Sequence, residues 1–344
     1  MELTLETVLG RAGRRSILGS EDFQFLENRI ILITGGAGSI GFRLAKTILS
    51  GTLAAQVILL DIDESRLHSS KMSLHPNLRS RTKIHLADIR DAISIETAVR
   101  ENSPNIVIHA AALKHVSVLE VHAREAYLTN VIGTANLIRA IQDHKIQNFV
   151  FISTDKAANP SNELGRSKLI GELMTSDFAH RNTSVVVSAV RFGNVFLSRG
   201  SVLETFLNQI QHDEDITVTD SEVTRYFIDL DEASELICKV LGKSQSGISI
   251  LKMGEPIRIL DIAQNLLRIS NASSKIVFIG LKHGEKLHED LYTRTELEDA
   301  NDMGEFWNVQ FMNRFSGTLS HLEAPCSNLE ASIEMRRIID EQIL

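Results

Sequence analysis

Three consecutive residues, Thr154-Asp155-Lys156, set a hydroxyl, a carboxyl and an amine side by side, and a second lysine, Lys168, follows within the next stretch of chain. An acid beside a base suits a reaction that gives a proton to one atom of a substrate while taking one from its neighbour. A lysine works as a base only where its ammonium form is destabilised, as in a partly buried position near another cation. The plain structural alternative is that Asp155 and Lys156 pair with each other or cap the helix that follows. Leu164 stands four residues before Lys168 and can neither donate nor accept a proton. The tyrosines of the chain, Tyr127, Tyr226 and Tyr292, all lie elsewhere.

The flanking pattern says how the triplet is held. Asn148 to Ser153 reads as a buried strand, and about Leu164 to His180 as a helix. Upstream, Ile30-Ile31-Leu32-Ile33 is a compact apolar run of the kind found in parallel sheets. It leads directly into Thr34-Gly35-Gly36-Ala37-Gly38-Ser39-Ile40-Gly41 and a helix from Phe42 to Leu49. Strand, glycine turn and helix in that order are the context of a dinucleotide fingerprint. Gly35 permits the tight turn, Gly38 lets backbone approach a pyrophosphate, and Gly41 allows close helix packing. The free N–H groups at the helix start, at Ser39 and Ile40, then bind phosphate.

A second strand, Gln56 to Leu60, ends in Asp61, where an acid hydrogen-bonds the adenosine ribose and repels a 2′-phosphate; no arginine follows directly, so NAD is expected over NADP. A third, Lys83 to Ala87, ends in Asp88-Ile89, and Asp88 reads either as a partner for the adenine amine or as a helix cap. A fourth, Asn105 to His109, runs into Ala110-Ala111-Ala112-Leu113-Lys114-His115, whose small residues suit a backbone passing close to a cofactor. Asn130, inside a helical stretch over 122–144, either supports the site or bonds interior backbone. Ser184 to Val190 is a sixth strand.

This alternation predicts an α/β fold, a doubly wound parallel sheet of Rossmann type, with the ligand crevice outside the carboxyl ends of the strands. Lys114, Thr154, Asp155 and Lys156 fall at those ends and are expected to converge. The reading divides the chain into a lead-in (1–28), a dinucleotide-binding domain (29–190), a mainly substrate-binding lobe (191–317) and a tail with a helix (318–344). In the lead-in, Leu5 to Leu9 reads as a short helix. Arg11, Arg14 and Arg15 read as a solvated patch or a contact for an acidic partner.

The formal charge of −8 gives no support to nucleic-acid binding, which usually shows as a basic surplus. An anionic substrate then needs a local positive pocket. Cys238 and Cys326 sit far apart and read as reduced thiols. His109, His115 and His122 match no metal-ligand spacing, so no metal is expected. No run approaches the ~18 apolar residues of a membrane span, and the N-terminus lacks a signal-peptide pattern; the expected location is cytoplasmic.

With these motifs in view the chain resembles the extended short-chain dehydrogenase/reductase superfamily, and within it the polysaccharide-biosynthesis group of UDP-N-acetylglucosamine 4,6-dehydratases, in a soluble form. The resemblance rests on Leu9-Gly10-Arg11, Thr34 to Gly41, His109 to Val116, Ser153 to Pro160 with Asn162, and Val190 to Val195. Arg199-Gly200-Ser201-Val202, Thr224-Arg225-Tyr226-Phe227, Met253-Gly254-Glu255-Pro256 and Gly280 to Glu289 complete it. It implies an NAD(P)-dependent lyase that oxidises carbon 4 of the sugar, eliminates water across carbons 5 and 6, and restores its own cofactor. Asp155 would be the acid for the leaving hydroxyl, Lys156 the base at carbon 5, and Thr154 a hydrogen-bond partner of the carbon 4 oxygen. Lys168 would bind the nicotinamide ribose.

Asn194, Arg199, Ser201, Arg225 and Glu285 match positions that line the UDP site, where an arginine fork suits a diphosphate. Relatives commonly form homo-oligomers. The departure is Leu164. The superfamily carries a tyrosine there to take the carbon 4 hydroxyl proton, although some members of this group carry methionine. Either Lys156, Asp155 or a water takes over that step, or the chemistry is altered. A 4-epimerase or variant dehydratase, and a catalytically silent dinucleotide-binding regulator, are the competing readings.

Overall fold

Uninterrupted runs of branched and aromatic residues can be buried on both faces only inside a sheet covered by helices on either side. That is their position in the computed structural model, which describes residues 3–11, 18–53, 55–311 and 322–343. Strands β1 (Ile30–Thr34), β2 (Gln56–Asp61), β3 (Thr82–Leu86), β4 (Ile106–His109), β5 (Asn148–Ile152) and β6 (Val186–Arg191) occupy the six expected stretches. Later chain adds β7 (Gly247–Leu251), β8 (Asn301–Asp302) and β9 (Phe306–Val309). The order is β8-β9-β7-β6-β5-β4-β1-β2-β3, parallel from β7 to β3 and antiparallel at β9 and β8. Strand order reverses between β1 and β4, so a crevice opens beyond their carboxyl ends.

Alternate strand residues serve two cores. Ile31 and Ile33 face a cluster with Leu44, Ile48, Leu236 and Ile237 from the helices Ser39–Gly51 and Leu230–Leu241. Leu32 faces Ile95, Leu137, Ile170 and Met174 on the opposite side. The helix Asn328–Ile343, whose role the sequence leaves open, joins that second cluster through Ala331 and Met335. The chain after Val190 goes to two places. Strands β7 to β9 widen the sheet, while Leu203, Phe206, Ile262 and Leu266 gather with Val8 and Leu9 around a third apolar cluster.

Arg11 is not part of a solvated patch. Its guanidinium bonds the Phe227 and Met253 carbonyls at 2.7 and 2.6 Å and the Glu232 carboxylate at 2.9 Å, tying the lead-in helix Leu5–Leu9 to distant chain. Arg14 and Arg15 lie outside the described residues. The helical stretch near 122–144 is broken by a π turn, Tyr127–Ile132. There the Asn130 amide bonds both the N–H and the carbonyl of Leu113, at 2.9 and 3.0 Å, which fixes the loop leaving β4.

Beneath the site lies a buried ion cluster. Arg191, 1% exposed, donates to Glu172 at 2.6 and 3.1 Å, to Glu296 at 2.9 and 3.1 Å and to the Leu291 carbonyl at 3.1 Å. Ser153 donates to the same Glu172 carboxylate at 2.5 Å. Replacing one partner of such a cluster strands the others without compensation. Arg191→Met is expected to lower stability by about 3–5 kcal/mol, read as a fall in the urea midpoint with the slope unchanged.

Candidate active site

The Thr154-Asp155-Lys156 turn stays tied to β6 after the β5 ladder ends. Ser153 N–H donates to the Val190 carbonyl at 2.7 Å and Asp155 N–H to the Phe192 carbonyl at 3.1 Å. One 3-10 turn, Asp155–Ala157, leads on to the helix Glu163–Arg181, capped by Asn162. Gly165 presses on the Lys156 carbonyl so closely that a β-carbon there would overlap it. The helix start thus clamps the turn from behind.

Asp155 is 1% exposed. Its Oδ1 accepts from Thr154 Oγ1 at 2.7 Å and from Lys156 Nζ at 2.9 Å. Its Oδ2 is buried without a hydrogen-bond partner among the described residues. Acid and base do pair, as the plain reading allows, yet one carboxylate oxygen is left to be satisfied by something else. Glu289 Oε1 also lies 3.7 Å from Lys156 Nζ. Burial pushes the Glu289 carboxyl above its ordinary range; Lys156 pulls it back and Asp155 pushes it up again.

Lys168 is buried, with Nζ 4.0 Å from the centre of the Phe151 ring. Burial brings its ammonium down to about 7, against a counter-pull from Glu172. Beside it His109 bridges Thr34 and Thr134 at 2.7 and 2.9 Å. Thr134 Oγ1 donates to the Asn130 carbonyl at 2.6 Å, so it accepts from His109 Nε2–H, and Nδ1 accepts from Thr34. Burial, followed by Lys168, brings this imidazole down to about 3, so it stays neutral. His109 is a structural link between β1, β4 and the helix Gly133–Gln142 that follows the π turn.

The glycine turn has the shape a dinucleotide needs. Gly35 has φ +64°, and a β-carbon on it would lie 2.7 Å from Ala111 N, so Ala110 and Ala111 pass directly beside it. A β-carbon on Gly41 would strike the Gly35 carbonyl. Gly38 begins the helix Ser39–Gly51 without a side-chain cap, leaving the N–H groups at Ser39 and Ile40 for an anion. Asp61, at the end of β2, accepts from Ala37 N–H at 3.0 Å and Asp63 N–H at 3.2 Å. This cradle fits a bound dinucleotide.

Two expectations at the rim change. Asp88 is not a helix cap: Asp91 caps the helix Ala92–Asn102, while Asp88 pairs with Arg90 at 2.6 Å. The Ile89 side chain, expected beside the cofactor, is buried against Gly133.

The candidate substrate residues are spread more widely. Lys114 Nζ reaches Ser198 Oγ at 3.4 Å, and burial lowers its pKa. Asn194 is half-buried and its N–H bonds the Tyr226 carbonyl at 2.8 Å. Arg199 is exposed, and Ser201 caps the helix Val202–Gln211. Arg225 and Glu285 meet each other at 3.3 Å, and Arg225 also bonds the Leu287 carbonyl at 3.1 Å. In this arrangement Arg225 is committed in part to its own chain rather than aimed wholly at a ligand.

Leu164 is buried in a small apolar cluster with Leu119, Ala126 and Val116. Tyr226 is no substitute base: burial, then Tyr292, Glu255, Asp290 and Asp155, raise its phenol, which stays protonated. No local pattern marks Glu289 or the Glu172–Arg191–Glu296 cluster, because their partners are far away in sequence. Only the charged run Gly284 to Glu289 pointed toward them.

The polysaccharide biosynthesis protein family matches residues 31–311. The chain belongs to that family, within the extended short-chain dehydrogenases/reductases. It is 38% identical over 278 residues to the capsular polysaccharide biosynthesis protein CapD of Staphylococcus aureus, covering 79% of this chain and 46% of CapD. It is 36% identical over 285 residues to the probable polysaccharide biosynthesis protein EpsC of Bacillus subtilis (strain 168), covering 81% and 47%. The chain therefore spans about half the length of these two curated relatives. A UDP-glucose 4-epimerase of Rickettsia bellii (strain OSU 85-389) is 33% identical, with 83% and 84% covered. Among solved structures, Pen from Bacillus thuringiensis superposes with a TM-score of 0.79 at 29% identity over 93% of this chain and all of that one.

Two outcomes follow for this family member. Leu164→Met keeps volume and is expected to cost under about 1.5 kcal/mol, whereas Leu164→Tyr overfills the cluster and costs about 1–3 kcal/mol, measured by urea unfolding. For Lys168, the folded value of about 7 lies below an unfolded value of about 10.4. Between those values the unfolded chain holds the extra proton, so stability rises with pH across that window. The rise should appear in ligand-free protein and be absent from Lys168→Met.

Proposed function

We propose that the chain dehydrates a UDP-N-acetylhexosamine, with UDP-N-acetylglucosamine the preferred candidate, to a 4-keto-6-deoxy sugar nucleotide. The observation that carries this reading is the continuous contact from Thr154 Oγ1 through Asp155 Oδ1 to Lys156 Nζ, at 2.7 and 2.9 Å, with Asp155 Oδ2 unsatisfied. A hydride exchange alone needs one proton acceptor; a hydroxyl, an acid and a base in series suit an elimination. Within 191–317, the part gathered around the third apolar cluster, with the helices Val202–Gln211 and Ile259–Ser270, would form the lobe that holds the sugar nucleotide, and the active unit would be a homo-oligomer. Among the described residues no helix is long and apolar enough to cross a membrane.

NAD is the cofactor favoured by Asp61. When bound, a nicotinamide dinucleotide supplies a two-electron acceptor for carbon 4 and gives the same electrons back at carbon 6. The residues do the proton work. Thr154 takes the carbon 4 hydroxyl proton and passes its own to Asp155, which replaces the tyrosine absent at Leu164. Asp155, now an acid, gives that proton to the carbon 6 hydroxyl, which leaves as water. Lys156 removes the carbon 5 proton and later returns a proton there. Lys168 places a cation beside the nicotinamide ribose.

A second reading, 4-epimerisation, draws on the Rickettsia relative named a UDP-glucose 4-epimerase. Product mass separates the two, since epimerisation leaves it unchanged. Incubation with UDP-N-acetylglucosamine should give a product lighter by one water. Asp155→Asn and Lys156→Ala should each lower the rate by about 10²–10⁴, with cofactor binding retained. Unchanged mass across a panel of sugar nucleotides sinks the dehydratase reading.

A further inference from the structure

Glu289 is a buried carboxyl that the scheme above leaves without a task. It is 6% exposed and lies 3.7 Å from Lys156 Nζ, which the Asp155 oxygen approaches at 2.9 Å. The base thus has two buried carboxyls near it, Asp155 from its own turn and Glu289 from a segment far along the chain. The segment that delivers Glu289 is anchored at many points. The Gly284 carbonyl accepts from Asn162 Nδ2 at 2.9 Å, and Lys286 Nζ reaches the Asn159 carbonyl at 2.6 Å. Asn159 Nδ2 donates to Asp290 at 3.0 Å, and His283 bonds Glu120 at 2.9 Å. Arg225 holds the Leu287 carbonyl and Arg191 the Leu291 carbonyl, each at 3.1 Å. A carboxyl held on both flanks in this way is placed against Lys156 by the fold.

Lys156 lies within reach of two buried carboxyls in a dry place, where a charge is costly unless it is paired. The groups that face Glu289 are Lys156, Asp155, Arg225 and Lys286. Lys156 as an ammonium cannot take the carbon 5 proton, and Asp155 is engaged with the proton destined for water.

We propose that Glu289 is a positioning residue for Lys156 that also holds its proton: it accepts the ammonium proton when the base is needed and returns it afterwards. The inference rests on the dehydratase reading and deepens it. In the step, a Lys156 N–H bond breaks and a Glu289 O–H bond forms, leaving an amine and a carboxylic acid, both neutral. The amine takes the carbon 5 proton, and the ammonium so formed later gives one of its three hydrogens, exchangeable with solvent, back to carbon 5. Glu289 then gives its own proton back to Lys156. Over the cycle no proton is gained or lost by the pair, and no electrons pass through it. Burial favours the protonated form of the Glu289 carboxyl, and closing the 3.7 Å gap to Lys156 Nζ brings the two within hydrogen-bond reach for the transfer.

The test compares the parent with Glu289→Gln and Glu289→Asp, using UDP-N-acetylglucosamine in deuterium oxide. Three quantities are read: carbon 4 oxidation from the near-ultraviolet absorbance of the nicotinamide, deuterium entry at carbon 5, and loss of water by mass. Glu289→Gln should keep the oxidation near the parent rate while carbon 5 exchange and water loss fall by about 10²–10⁴, and Glu289→Asp should recover part of both. Exchange at the parent rate in Glu289→Gln overturns the proposal. So does a common fall in all three readouts together with the thermal midpoint, which marks a purely structural residue.

If the parent itself shows neither exchange nor water loss, the dehydratase reading fails, and a ligand-free measurement still decides the pairing. With carboxyl-labelled glutamate, the carbon resonance lost in Glu289→Gln should titrate well above the ordinary glutamate value of about 4.3, and higher still in Lys156→Met. An ordinary midpoint that ignores Lys156 overturns the pairing.

Discussion

Every N–H of the Arg191 guanidinium is used inside the protein, and what it joins is the end of the fold that carries the candidate site. Through Glu172 it reaches Ser153, immediately before the Thr154-Asp155-Lys156 turn. Through Glu296 and the Leu291 carbonyl it holds the chain just beyond Glu289. The two segments that bring carboxyls near Lys156 are therefore fixed to one buried cation. A fully satisfied buried ion cluster adds little net stability, because desolvation offsets attraction, but any misplacement of its members is costly. Such a cluster suits the setting of positions. Arg191, at the end of β6, is thus one fixed point shared by the segments that carry Asp155 and Glu289.

The parts of this arrangement that sequence made legible are those whose cause is local. The apolar runs, the glycine turn and the acid–base triplet each carry their reason within a few residues: burial on two faces, a backbone with φ above zero at Gly35, and a strand end that exposes polar groups to the crevice. The parallel sheet followed from their alternation. What stayed hidden depends on pairs far apart in the chain. Nothing near Glu289 announces Lys156, and nothing near Arg191 announces Glu296. Arg11 shows the same limit. An arginine in a polar lead-in looks solvated until Phe227 and Met253 arrive to receive it.

Leu164 gained meaning in a different way. From sequence it was an absence, a place with no hydroxyl. In the fold it is an apolar side chain filling space with Leu119, Ala126 and Val116. The proton route it lacks has a neighbour of suitable geometry in Thr154, whose hydroxyl is already bonded to Asp155. Likewise Arg225 and Glu285 read from sequence as two separate ligands for a sugar nucleotide, whereas the structure pairs them. Motif matching places residues in a region; only geometry tells whether they are free or engaged with each other.

The lead-in helix has a consequence for synthesis. Val8 and Leu9 are buried among Leu203, Phe206, Ile262 and Leu266, and Arg11 closes on Glu232. The ribosome makes those partners about 200–260 residues later, which at ~5–20 residues per second is roughly 10–50 s. Through that interval the apolar face of Leu5–Leu9 has nowhere in its own chain to dock. It must wait on the nascent chain while the parallel sheet forms behind it, and Arg11 can seal the later lobe only once that lobe exists.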